Sequence, residues 1–120
     1  MSGTGFTADI VGRAVFDAGG ERIGQLVDLY ANTETGAVCF AGVAMMRRGR
    51  RRLVFVSLTD ARIEAASVTV RCGKELARRA PSVRIGETLP ADAEPALFAH
   101  YDMPYLSPET KKGRRLAPCR

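Results

Sequence analysis

Five arginines fill five of the six positions from Arg47 to Arg52 (Arg47, Arg48, Arg50, Arg51 and Arg52, around Gly49), the densest chemical feature of the sequence. Guanidinium groups stay charged at any physiological pH, and their planar forks of donors match carboxylates and phosphates. Such a cluster is either an anion-binding knob or the solvated tip of a hairpin, where charge blocks edge pairing. Single-stranded nucleic acid calls for aromatic platforms beside the charge. None stands within the cluster, and Phe55 follows well inside the next apolar run. A second basic group, Lys111, Lys112, Arg114 and Arg115, lies near the C-terminus. Loop and tail together could hold an acidic protein, RNA or an anionic membrane surface. At about 1 kcal/mol per basic residue beside such a membrane, either alone binds weakly.

Catalytic and metal chemistry find little material. The one histidine, His100, is followed by Tyr101 and Asp102. It reads as a helix-end residue that packs or hydrogen bonds. Three widely spaced cysteines, Cys39, Cys72 and Cys119, without a CxxC pair, give neither a disulfide framework nor a zinc signature. Cys39, inside an apolar run, is expected to be a small buried hydrophobe. No GxxxxGK[ST] or GxGxxG stretch is present to cradle phosphate. The sequence therefore predicts no enzyme, no cofactor and no metal.

The net charge of +5 is unevenly placed. Residues 107–120 hold +4 of it, leaving +1 for residues 1–106. A uniformly basic nucleic-acid-binding domain would look different. The longest apolar stretch, "AVCFAGVAMM", is about half of the ~20 residues that span a bilayer, and no secretory leader is visible. A cytoplasmic protein is expected.

The elements that must carry the arginines are short strands. Residues 1–8 should fray and 9–106 should form one domain. Residues 107–120, rich in Pro, Lys and Arg, read as a disordered tail. "DIVGRAVFD" predicts a strand with Ile10, Ala14 and Phe16 on one face, turned by "DAGGER". "RIGQLVDLYA" predicts a second, with Ile23, Val27 and Leu29 on its apolar face. "AVCFAGVAMM" and "RLVFVSL" follow, joined at Gly49, then "RIEA" and "SVTVR". About six short strands at close spacing predict a small β-barrel. "GKELARRAP" and "ADAEPALFAHY" predict two short C-terminal helices, the second with Asp92 as N-cap.

The third and fourth strands are apolar on both faces. Val38, Phe40, Ala44 and Met46 are expected to fill the barrel, leaving Cys39, Ala41, Val43 and Met45 facing outward. That outer face needs a cover: either Leu97, Phe98 and Tyr101 of the second helix, or a partner protein, a second copy included.

"GRAVFDAGGERIGQLVDLYANTETG", Gly12 to Gly36, resembles the opening of the PRC-barrel domain. That family is named for the cytoplasmic domain of the photosynthetic reaction centre H subunit. It also supplies the C-terminal domain of the ribosome maturation factor. Matching positions include Gly12, Val15, Asp17, Gly20, Glu21, Ile23, Gly24, Asp28 and Glu34 to Gly36. The resemblance continues through "RRRLVFVSLTDARI" and "SVTVRCGKELARRAP" to "ALFAHYDMPY", as in stand-alone bacterial members. It implies a PRC-type barrel over residues 9–106, with scaffold roles for Asp17, Gly20, Glu21, Gly24 and Asp28. Two departures are visible: Val56-Ser57-Leu58 where relatives often carry V-P-L, and Asp102 where glycine often follows the His-Tyr pair. The expected function is a non-enzymatic protein-interaction or assembly module, with a homodimer as one expected form. The alternative is an RNA- or ribosome-associated factor using the basic loop and tail.

Overall fold

The arginine cluster closes a hairpin. In the computed structural model, which describes residues 10–32, 37–85, 87–102 and 116–118, β3 (Val38–Arg47) pairs antiparallel with β4 (Arg50–Ser57) from Phe40↔Ser57 to Arg47↔Arg50. The two residues between them, Arg48 and Gly49, both have positive φ, 52° and 77°. This is the handedness of the tight turns whose twist matches that of paired strands.

The other strands are β1 (Ala14–Phe16), β2 (Arg22–Asn32), β5 (Arg62–Ile63), β6 (Ser67–Thr69), β7 (Ser82–Arg84) and β8 (Leu116–Pro118). The sheet order is β5-β6-β1-β2-β3-β4-β7, with β8 added to β2. Among the described strands, only the β1–β6 pair is parallel. Helices α1 (Lys74–Arg78) and α2 (Glu94–His100) complete the described fold. The expected mainly-β domain with two short helices is thus present. Its hydrogen-bonded path ends at β5 and β7 and does not close into a ring. β7 and β8 were not legible in the sequence: β7 directly follows Pro81, which reads as a helix stop, and β8 lies in the segment expected to be disordered. Leu116 is buried against α2, and its N–H donates to Glu94 Oε2 at 3.1 Å.

The sheet has a core on each face. The first gathers Val15, Leu26, Leu29, Ala41, Val43, Val54, Val56 and Val68, with Ala77 and Ala80 from the α1 region. The second gathers Tyr30, Phe40, Leu53 and Phe55 under Leu97 and Phe98 of α2 and Leu116 of β8. This corrects the expected facing of β3. Ala41, Val43 and Met45 are buried in the first core at 0%, 0% and 7% exposure, while Met46, assigned to the interior, is 59% exposed. Cys39 is half-buried. The two cores differ in residue size. The side of the sheet enclosed by β1, β6 and α1 takes mostly small and β-branched side chains, and the large aromatics pack beneath α2. Alternation defines two faces but does not say which is enclosed.

Bulges account for the other shifts in facing. Val27 is an extra residue between the pairs Leu26↔Val43 and Asp28↔Gly42. It therefore leaves the Ile23–Leu29 face and packs on the second core. A second irregularity separates Val15↔Gly24 from Phe16↔Arg22. On β1 the buried residue is Val15, and Ala14 and Phe16 are only partly covered. Gly24 lies where a Cβ would run into the Ala44 carbonyl oxygen, so the β2–β3 approach requires glycine there. The N-cap of α2 is Ala93, without a side-chain bond. Asp92 sits instead in a 3-10 turn, Ala91–Ala93.

Asp17 is the main polar hub. Its Oδ1 accepts the amides of Gly19 (2.9 Å) and Glu21 (2.8 Å). Its Oδ2 accepts the amide of Lys74, at the start of α1, at 3.0 Å. Gly20 takes φ 88° in the turn so formed. Asp17 is 8% exposed. The Glu21 amide holds its carboxyl below the usual value against the opposing effect of burial, helped by the other amides.

A depressed folded-state value stabilises the fold above the unfolded carboxyl pKa of about 4, and this contribution is lost as pH falls through the folded value. Asp17→Asn should lower unfolding free energy at pH 7 by about 2 kcal/mol in urea titration, with the deficit narrowing below about pH 4. Gly24→Ala should cost about 3 kcal/mol or more by the same measurement. Asp102 has φ 56°, a left-handed conformation that glycine adopts freely. Asp102→Gly should therefore raise stability by about 0.5–1 kcal/mol.

Candidate basic interaction site

Strand pairing divides the five arginines between two clefts. Arg47, Arg48, Arg50 and Arg52 line the first, of about 420 Å³, together with Ser82 of β7. Arg52 donates from Nε (3.2 Å) and Nη2 (3.1 Å) to Ser82 Oγ, and from Nη2 to the Ser82 carbonyl (3.2 Å). Arg47 donates to the same hydroxyl at 3.3 Å. Ser82 thus fastens two of the arginines to the sheet.

Arg51, across from Met46 in the hairpin register, lines a different cleft of about 520 Å³. There it meets Arg22 of β2 and Lys74 and Arg78 of α1, over Gly24 and beside Met45 and Met46. No local signal in the sequence marks Arg22, Lys74 or Arg78, because together with Arg51 they come from three separate stretches. The Asp17–Lys74 bond brings them together by docking α1 against the β1–β2 turn. The two ion pairs among the described residues are Arg71–Asp60 (2.6 Å) and Arg78–Glu75 (3.2 Å). Neither uses an arginine of the hairpin tip.

A third cleft, of about 670 Å³, lies between the end of β4, Cys72, α1 and the end of α2. Tyr101 donates its hydroxyl to the Phe55 carbonyl at 2.7 Å. His100 Nε2 lies 2.6 Å from the Leu76 carbonyl, which fixes that nitrogen as the donor. These bonds fasten α2 to β4 and α1. Burial pushes the Cys72 thiol up to about 11 and raises the Tyr101 hydroxyl as well. A reactive cysteine needs the opposite shift. Among the described residues, no three His, Cys, Asp or Glu side chains form a group that could hold a metal, and no helix is long and apolar enough to cross a membrane.

Of the scaffold candidates, Asp17 and Gly20 build the β1–β2 turn, and Glu21 contributes its backbone amide. Asp28 stands half-buried beyond the Val27 bulge. Ser57, in the place of proline, accepts the Thr59 amide at 3.2 Å and so shapes the end of β4. Lys111, Lys112, Arg114 and Arg115 lie outside the described residues.

No curated protein matches the sequence. The family model described as PRC-barrel domain matches residues 4–77, a span that contains β1 to β6 and the first turn of α1. With that match over more than half of its length, the chain belongs to the PRC-barrel domain family.

Proposed function

We propose that this chain is a non-enzymatic interaction or assembly module that contacts its partner through the basic end of the β3–β4 hairpin. One observation carries the reading. Met46 is 59% exposed among arginines that have no carboxylate partner among the described residues. An exposed apolar side chain set in unneutralised charge is characteristic of a contact surface. Burial of Ala41, Val43 and Met45 moves the proposed contact from the broad strand face to this rim. The raised Cys72 thiol and the structural bond of His100 support a role other than catalysis. The scattered cysteines fit a reducing compartment, and we assign the protein to the cytoplasm. Homodimerisation is one form that the contact could take.

The arginines also support a second reading, an RNA-associated factor, though no aromatic platform is among the described residues that line either basic cleft. A photo-crosslinking residue at Met46, used in the source cells, separates the two. The interaction reading expects a discrete protein adduct, self-adducts included. RNA adducts that disappear at high salt would favour the second reading, and absence of any adduct would remove the hairpin as the contact.

A further inference from the structure

We propose that the cleft lined by Arg22, Arg51, Lys74 and Arg78 binds an extended acidic segment of a partner protein, its carboxylates facing the four cations and an apolar side chain resting on Met46. This rests on the interaction reading above and names the chemistry of the partner. Four cations from β2, β4 and α1 converge on one cleft of about 520 Å³, and no acidic side chain is among the described residues that line it. Of two nearby carboxylates, one is engaged elsewhere and the other forms an exposed ion pair with Arg78 at the edge of the cleft. Asp17 is taken up by the amides of Gly19, Glu21 and Lys74. Glu75, paired with Arg78, stands exposed on α1 outside the lining. Converging like charges repel, so the cleft favours an anionic occupant. The chain's own residues 111–115 carry four positive charges and no negative one, and so they are the wrong sign to fill it.

The walls select among anions. Met46, 59% exposed, adds an apolar, adaptable surface beside the charge, and the edge of the buried Met45 completes the lining. A bare phosphate would gain nothing from it. None of the described lining residues is aromatic, and aromatic stacking is what unpaired nucleotides use. A peptide with acidic residues flanking one large apolar side chain uses both the cations and the methionines.

The test is fluorescence anisotropy on the full chain at low salt, with a labelled Asp-Glu-Leu-Asp-Glu peptide. Binding should weaken as salt rises and fall at least tenfold in Arg51→Glu and in Arg22→Glu. Both positions are exposed, and circular dichroism would confirm that the variants fold. Arg62→Glu, exposed on β5 at the far end of the sheet from the hairpin, should change affinity less than threefold. Replacing the peptide's leucine by glycine should weaken binding severalfold. Equal binding of the leucine and glycine peptides, equally effective displacement by inorganic phosphate, or tighter binding of a single-stranded RNA of matched charge would each overturn the proposal. So would loss of binding in Arg62→Glu equal to that in Arg51→Glu. A protein adduct at Met46 without peptide binding would retain the interaction reading and remove this one.

Discussion

One carboxylate ties the two ends of the family-matched region together. Asp17 accepts two amides from its own turn and a third from Lys74, 57 residues further along the chain. α1 has five residues and no side-chain cap of its own, so its first turn depends on this distant acceptor for both a hydrogen-bond partner and a favourable charge. Docking α1 there buries Ala77 and Ala80 on the first core. It also carries Lys74 and Arg78 to the same cleft as Arg22 and Arg51. A structural bond thereby creates the basic surface.

The middle strands can be apolar on both faces because the fold covers both. β1, β6 and α1 enclose one side, and α2 and β8 the other. On the α2 side, Gly42 leaves room that a side chain would take from Tyr30 and Leu53, whose atoms would stand 3.1 Å from its Cβ. Tyr30 and Phe55 meet with ring centroids 5.0 Å apart, and Phe40 packs edge-on to Phe98 at 5.3 Å. The polar tips face backbone: the Tyr101 hydroxyl reaches the Phe55 carbonyl, and the fully buried Glu94 receives the Leu116 amide. With those faces sealed, the hairpin rim is left exposed, and it carries both the arginine charge and the side chain of Met46.

Much of this was legible in the sequence. Glycines and alternating apolar residues gave the strand order through β6. The "RRGRR" turn sits at Arg48-Gly49, and the residues shared with relatives do build turns and close strand contacts at Asp17, Gly20 and Gly24. β7 escaped notice because its three residues directly follow Pro81, which reads as a helix stop, and β8 because it lies in a Pro-, Lys- and Arg-rich stretch whose composition reads as disordered. The departure at Asp102 was legible as a missing glycine, and its φ of 56° shows why glycine suits the site.

The sequence by itself determined the local matters: which stretches are strands, where the chain turns, and that the arginines gather at a hairpin tip. These follow from backbone preferences and patterns over a few residues. The tertiary structure alone decided which face of β3 is enclosed, since alternation is symmetric and two bulges reset its phase in β2. It alone decided that Arg51 parts from its neighbours to join Arg22, Lys74 and Arg78. That grouping depends on long-range docking of α1 through Asp17, which no local pattern encodes.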